Sequence, residues 1–154
     1  MRCYYLPSFG LTLILSAAMA KYPYDLIPPA SKQVYRPILP IKLAYPQTQK
    51  CTPPIRALID SGADACLCSV EVGVWLGIEF DGVEDEFSIE SANGSLSRAI
   101  KKTVTLITDK KQFECPFFFV EGINPLKVPL LGQLGFFDHF KVCFDWQNKT
   151  FEIF

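Results

Sequence analysis

The chain of 154 residues has little that points to a nucleic acid, a metal ion or a membrane span. Its formal net charge is -1, and its basic residues are dispersed, which argues against the basic patch of a nucleic-acid-binding protein. No apolar run reaches the roughly 20 residues that a transmembrane helix needs. The single histidine, His139, and a lone Cys-x-Cys at Cys66 and Cys68 make no zinc-ligand pattern. We therefore expect no metal, no cofactor, no nucleic-acid partner and no stable membrane span.

Disulfide bonds are poorly supported as well, because the number of cysteines does not suit them. The chain has six cysteines, and five of them lie after residue 20, an odd number without a repeating spacing. We expect ordinary buried thiols at these five positions, which are Cys51, Cys66, Cys68, Cys115 and Cys143.

Residues 1–20 allow two interpretations. An apolar run followed by Ala18-Met19-Ala20, a small-x-small pattern, resembles a signal peptide and would make the protein secreted or periplasmic. Alternatively, the protein starts at Met19 and the preceding residues are an extension, which favours a cytoplasmic location. Pro7 and Gly10, which interrupt the apolar run, and the odd number of cysteines slightly favour the second interpretation.

The remaining sequence predicts one mostly β domain. Hydrophobic residues make up 49 % of the chain, and 12 prolines and 9 glycines suit short strands and turns better than a helical bundle. Residues 21–35 are polar and rich in proline and predict an extended lead-in. Alternating or apolar patterns predict strands at Leu39–Tyr45, Ile55–Ile59 and Phe113–Val120, and a final hairpin of Val142–Trp146 with Thr150–Phe154.

Two further local signals add a helix and a hairpin. Ser69 can cap a short helix that Gly77 ends, although alternating valines in this segment are also compatible with a strand. Asn93-Gly94 lies between two strand-like runs, which is the strongest short-range signal for a β-hairpin. The consecutive residues Phe117, Phe118 and Phe119 predict a strand that is buried on both faces or lies at a subunit contact.

The stretch with the clearest chemical content is Ala57-Leu58-Ile59-Asp60-Ser61-Gly62-Ala63-Asp64. Three apolar residues form a strand, and an acid, a hydroxyl and a glycine follow at its end. A carboxylate is unusual where a buried strand breaks into a turn. A plain surface turn remains an alternative, since Asp, Ser and Gly are common turn residues.

This stretch resembles the active-site loop of the retropepsin-like aspartic proteases, which carry Asp-Thr/Ser-Gly-Ala after two apolar residues. The second half of the family pattern, an apolar pair and a glycine that opens a short helix, is similar to Val128-Pro129-Leu130-Leu131-Gly132-Gln133. The resemblance covers roughly residues 36–154, which it identifies as one protease domain. It implies a single-lobe closed β-barrel with a flap hairpin and one or two short helices, active as a homodimer.

The function implied by the resemblance is that of an aspartic endopeptidase acting on a peptide or protein substrate. Two facing carboxylates share a proton, because like charges about 3 Å apart cannot both ionise. Since this chain has a single Asp-Ser/Thr-Gly, the second carboxylate must be Asp60 of a second copy. One alternative is a non-catalytic peptide-binding or dimerisation module on the same fold. Another is a cysteine hydrolase that uses Cys66 or Cys68 with His139.

The resemblance also implies roles for the neighbours of Asp60. Ser61 bonds across the dimer to the opposite loop, and Gly62 brings the backbone close to the substrate. The cleft is lined by Ala63 and Asp64 and covered by Asn93 and Gly94 of the flap, while Leu131 and Gly132 support the catalytic loop.

Two features depart from the family pattern. Gln133 stands where the family usually has an arginine, so Asp64 lacks its usual cationic partner. The retroviral enzymes end in one strand of an interdigitated dimer sheet, whereas this chain is predicted to end in a hairpin. His139 is predicted to be structural, and Trp75 and Trp146 are predicted to be core or interface residues.

Overall fold

A computed structural model describes residues 21–27, 34–80, 86–90, 94–121 and 128–154 of the chain. Within these ranges the protein is mostly β, as predicted, with one short helix, α1 (Val70–Leu76). The strands are β1 (Lys21–Pro23), β2 (Asp25–Ile27), β3 (Val34–Arg36), β4 (Ile38–Tyr45), β5 (Lys50–Cys51), β6 (Ile55–Ile59), β7 (Cys66–Ser69), β8 (Glu86–Glu90), β9 (Leu96–Ile107), β10 (Gln112–Val120), β11 (Leu130–Leu131), β12 (Val142–Asp145) and β13 (Thr150–Ile153).

Six strands close into a barrel. Their order is β4-β6-β11-β7-β10-β9, and β9 pairs back with β4, where Leu43 lies opposite Leu106. Strand β5 extends the sheet beside β4, and β8 extends it beside β9. Alternate residues of the barrel strands point inward and form the core, which includes Leu39, Ile41, Leu43, Ile59, Val104, Leu106, Phe117, Phe119 and Leu131. The predicted closed β-barrel is therefore confirmed.

Strand β10 shows how the alternation sorts three consecutive aromatic residues. Phe117 and Phe119 are fully buried inside the barrel. Phe118 points to the other face of the sheet, where its ring meets that of Phe87 at 5.3 Å in an edge-to-face arrangement. The ammonium group of Lys101 lies 6.0 Å from the centre of the Phe118 ring. Phe118 is therefore partly covered by neighbours of its own chain.

The predicted C-terminal hairpin is present and belongs to a second, three-stranded sheet. Strands β12 and β13 pair antiparallel, and β1 pairs with the other side of β13, which gives the order β1-β13-β12. Tyr22 of β1 also donates a hydrogen bond to the Asp109 carboxylate at 2.6 Å, which ties the first described strand to the turn between β9 and β10. The chain thus completes its terminal sheet with its own N-terminal strand.

Helix α1 has the ends that its sequence predicts. The Ser69 side chain accepts a hydrogen bond from the backbone N–H of Val72, which satisfies one free donor of the first turn. Gly77 ends the helix in the left-handed conformation at φ 77°, and its N–H returns to the last turn. Residues 133–139, in contrast, form consecutive turns instead of the short helix that the family resemblance implies after Gly132.

Three expectations about single residues need correction. Cys143 is exposed, whereas the other four described cysteines are buried thiols as predicted. Trp75 and Trp146 are 51 % and 59 % exposed, so neither is a core residue. None of the helices among the described residues is long and apolar enough to cross a membrane.

Candidate active site

Asp60 lies at the carboxyl end of β6, where the chain leaves the barrel wall. Strands β6 and β7 follow one another in sequence, but β11 lies between them in the sheet, parallel to β6 and antiparallel to β7. The segment from Asp60 to Ala65 must therefore pass over the end of β11. The N–H of Asp60 donates to the carbonyl oxygen of Leu131 at 3.1 Å, which fixes the first residue of this loop to β11.

The loop itself orients the Asp60 carboxylate. Its Oδ1 accepts a hydrogen bond from the N–H of Gly62 at 3.0 Å, and the Ala63 N–H donates to the Asp60 carbonyl at 3.2 Å. A Cβ on Gly62 would lie 3.3 Å from Asp60 Oδ1, so glycine leaves the carboxylate room in this tight turn. Asp60 is half-buried, while Ser61 and Gly62 are exposed. The carboxylate is thus held on one side and remains accessible.

The segment after β11 holds the second half of the loop. The N–H of Gln133 donates to the Ala63 carbonyl at 2.9 Å, and the N–H of Leu134 donates to the Asp64 carbonyl at 2.8 Å. Gly132 makes this approach feasible, because a Cβ there would collide with the backbone carbonyl of Ala65 and lie 2.7 Å from the Ala63 oxygen. The structure therefore brings Leu131 and Gly132 directly against the Asp60 loop.

Gln133 also contacts the loop through its side chain. Its Nε2 donates to the Ser61 carbonyl at 3.0 Å, an interaction that the sequence did not indicate. Among the residues that the structure describes, the exposed Asp64 carboxylate takes part in no ion pair, which fits the absence of the usual arginine. The Ser61 hydroxyl has no hydrogen-bond partner within the described part of this single copy.

The predicted hairpin is formed by β8 and β9, which pair antiparallel up to Glu90 opposite Leu96. Gly94 lies in the connection between them, exposed and at φ 80°, a conformation that glycine adopts without strain. Asn93, the other residue predicted to cover the cleft, lies outside the described residues.

The arrangement of thiols does not favour a cysteine nucleophile. Burial raises the pKa of the Cys68 thiol to about 12, so this group stays protonated near neutral pH. The sulfur of Cys66 lies 3.9 Å from that of Cys115 rather than beside a histidine. The His139 ring instead stacks on Phe113, with 3.9 Å between ring centres, as expected for a structural histidine. In the described ranges, no group of three or more His, Cys, Asp or Glu side chains forms a metal site.

A groove of about 930 Å³ lies between α1 and β9, and its walls do not include Asp60. The lining residues are mainly apolar and include Val70, Val74, Ile78, Phe80, Leu96 and Phe119. Asp60 is thus not enclosed by the walls of this groove. An exposed loop with one oriented acid is half of a site rather than a complete cleft.

Comparison with solved structures places the fold. The structure of a retropepsin-like aspartic protease from Rickettsia conorii matches with a TM-score of 0.58 and 17 % sequence identity, over 88 % of this chain and 98 % of that one. The EIAV protease in complex with the inhibitor HBY-793 matches with a TM-score of 0.47 and 18 % identity, over 70 % and 88 % of the two chains. No family model and no curated protein sequence matches this chain. The Rickettsia likeness shows that the fold is retropepsin-like.

Proposed function

We propose that the protein is an aspartic endopeptidase whose active site consists of two Asp60 carboxylates, one from each subunit of a homodimer. The observation that carries the proposal is the placement of Asp60: a half-buried acid at the end of a barrel strand, with one oxygen held by the Gly62 N–H. The retropepsin-like fold supports the same function.

The chemistry follows from two acids that face each other. At most one of two carboxylates about 3 Å apart is ionised, so one acts as a base and the other as an acid. The base takes a proton from water while the water oxygen attacks the peptide carbonyl, and the acid donates its proton to the carbonyl oxygen. The tetrahedral intermediate then collapses, the C–N bond breaks, and the leaving nitrogen takes a proton. The products are a new carboxyl and a new amino terminus.

The neighbouring residues keep the two acids in register. The Ser61 hydroxyl, which has no partner in the described part of one copy, bonds to the loop of the other subunit. Gly62 approaches the substrate backbone, Ala63 and Asp64 line the cleft, and the hairpin with Asn93 and Gly94 covers it. Residues Leu131 and Gly132 hold the loop from beneath, and Gln133 contributes a hydrogen bond in place of the usual ion pair.

The experiment is a cleavage assay on an unfolded protein substrate at acid to neutral pH, with wild type compared with Asp60→Asn. The amide preserves the size of the side chain but can neither give up nor share the proton. We expect a loss of at least roughly a thousandfold in kcat/KM. Glu114→Gln is the matched control, because it neutralises an exposed carboxylate on β10 and should leave activity unchanged.

Inhibition by a peptide with a hydroxyl group in place of the scissile carbonyl gives a second readout, since it mimics the tetrahedral intermediate. Full activity of Asp60→Asn would refute the proposal. Tight peptide binding by the wild type without turnover at any of these pH values would instead identify a peptide-binding module.

A further inference from the structure

The open edges of the described sheets differ in how well they are protected against pairing with another strand. Natural edge strands carry charged residues or proline, or are very short. Most of the open edges here do so, through Lys21 and Pro23 in β1, Asp25 in β2, Arg36 in β3, Lys50 in the two-residue β5, and Glu86 and Glu90 in β8. The outer edge of β12 is the exception, because its residues 142–144 are Val-Cys-Phe.

The one charged residue of β12 does not protect this edge. Asp145 lies at the end of the strand, and its carboxylate accepts hydrogen bonds from the N–H of Asn148 at 3.0 Å and from Asn148 Nδ2 at 2.7 Å. These bonds hold the acid within the turn that leads to β13. The central part of the edge is therefore apolar and uncharged.

The backbone of β12 presents hydrogen-bonding groups to this open edge. The N–H of Phe154 donates to the Lys141 carbonyl at 3.0 Å, so these two residues form a hydrogen-bonded pair. Because such pairs alternate along an antiparallel ladder, Cys143 and Asp145 direct their backbone groups toward β13. The N–H and C=O groups of Val142 and Phe144 consequently point outward, where no strand of the described residues pairs with them.

The Phe144 side chain indicates that something covers this edge. Phe144 lies opposite Phe151 and shares its face of the sheet. Phe151 is fully buried in the core, but Phe144 is 45 % exposed because β12 is the last strand. A further strand beside β12 would complete the burial of this ring.

We infer that the outer edge of β12 is the surface on which a second copy of this chain docks, by antiparallel pairing of β12 with its own equivalent. An antiparallel pair of identical strands is generated by a two-fold axis, which is the symmetry that two facing Asp60 residues require. With the axis at Cys143, Val142 lies opposite Phe144 of the second copy, and all four outward backbone groups of each strand are paired. The inference rests on the proposed function for its choice of partner.

The position of β12 in the chain agrees with this assignment. The strand follows the segment 131–134, which is hydrogen-bonded to the Asp60 loop, and the connecting residues Phe136 and Phe140 are anchored in the core. Since β1 already occupies the far side of β13, the two copies meet edge to edge at β12 instead of exchanging terminal strands.

The first test uses the exposed thiol of Cys143 as a probe in wild-type protein with Cys3→Ser as the background. Residues opposite each other in the non-hydrogen-bonded positions of such a pair have Cα atoms about 4.5 Å apart. A short bismaleimide should therefore join two copies, and Cys143→Ser should abolish the product. The other described cysteines are buried and serve as internal controls.

The second test weakens the edge without touching the hairpin within one chain. Val142→Pro removes an N–H that points outward, and edge strands tolerate proline at such positions. Phe144→Asp places a charge where the second copy would pack. We expect each variant to raise the dimer dissociation constant at least roughly tenfold, measured by sedimentation. The control Trp75→Asp changes an exposed aromatic residue on α1 and should leave dimerisation unchanged.

The outcomes separate this inference from the proposed function. Dimers that persist in both edge variants, with no cross-link through Cys143, overturn the interface even if the enzyme is active. A wild-type protein that stays monomeric and hydrolyses peptides overturns both. Cross-linked dimers without any hydrolysis support the interface and contradict the protease. Circular dichroism of each variant identifies loss of folding, and the cross-link in otherwise unchanged protein does not depend on the variants.

Discussion

At the scale of single residues, Asp60 owes its position to a glycine more than 70 positions away in sequence. Gly132 lies so close to the loop that a Cβ would collide with the Ala65 carbonyl and crowd that of Ala63. Both atoms belong to the backbone and cannot rotate away as a side chain could. The loop and the segment after β11 therefore fit together only while residue 132 has no side chain.

We predict that Gly132→Ala lowers the free energy of unfolding by roughly 2–4 kcal/mol, because the backbone on both sides must move apart. Urea denaturation measures the loss, and the cleavage assay should show reduced activity in the fraction that remains folded. Gly94→Ala is a useful comparison, since its Cβ would find open space and its cost of about 1 kcal/mol comes only from the positive φ. Equal losses in the two variants would contradict the steric explanation.

At the scale of elements, helix α1 is short and depends on its two ends. Ser69 caps the first turn, and Gly77 closes the last one. We predict that Ser69→Ala lowers the free energy of unfolding by about 1 kcal/mol, because the side-chain acceptor for the Val72 N–H is lost. Ser69→Asp, which keeps an acceptor at the same position, should restore most of the stability in the same denaturation experiment. A loss in both variants would show that the cap is not the cause.

The attachment of β1 to the barrel should depend on pH. Burial, followed by the hydrogen bond to Asp109 and the charge of Asp109, raises the pKa of Tyr22 above its ordinary value of about 10. Since the pKa is higher in the folded than in the unfolded protein, the associated stability is complete below about pH 10. It is lost as the pH rises toward the folded-state value.

We therefore predict that Tyr22→Phe lowers the free energy of unfolding by about 1 kcal/mol at neutral pH, the usual net value of one hydrogen bond. The difference from wild type should shrink above pH 10, where the wild type loses the same contribution. Urea unfolding at a series of pH values measures both effects. Tyr35→Phe is the control, because the hydroxyl of Tyr35 has no hydrogen bond among the described residues; a difference that grows above pH 10 would contradict the assignment.

Most of the elements could be predicted from the sequence, because their signals are local. The alternation at Leu39–Tyr45, the capping residues around α1 and the turn before Thr150 each act within a few neighbours. The turns at 133–139 could not be predicted in this way, since tertiary contacts of Gly132 and Phe136 decide their shape. The pairing of β1 with β13 joins the two ends of the described chain, and no local pattern in residues 21–35 indicates it.

At the scale of the whole molecule, the sequence indicates the chemistry of the candidate site but not its support. Asp60, Ser61 and Gly62 could be singled out because acid, hydroxyl and glycine follow directly after an apolar strand. The hydrogen bond from Gln133 to the Ser61 carbonyl could not, because it joins residues 72 positions apart. The exposure of Cys143 was likewise beyond prediction, since it depends on β12 being the outermost strand of its sheet.

A site made of two half-sites has a stoichiometry that a mixing experiment can measure. If subunits exchange freely, wild-type protein mixed with an equal amount of Asp60→Asn forms about one quarter wild-type pairs. Mixed pairs contain one carboxylate and one amide, cannot share a proton between two acids, and should be inactive. We therefore predict that activity per wild-type chain falls to about half in the equal mixture, and further as Asp60→Asn is added in excess.

The double variant Val142→Pro with Asp60→Asn provides the matched control, because it lacks both the acid and the outward N–H of β12. If the copies pair through that edge, this variant cannot capture wild-type subunits, and activity per wild-type chain should stay constant in the mixture. Inhibition by Asp60→Asn but not by the double variant would require both a shared site and a shared edge. Constant activity in both mixtures after verified subunit exchange would mean that each copy hydrolyses on its own, and that a single Asp60 carboxylate is sufficient.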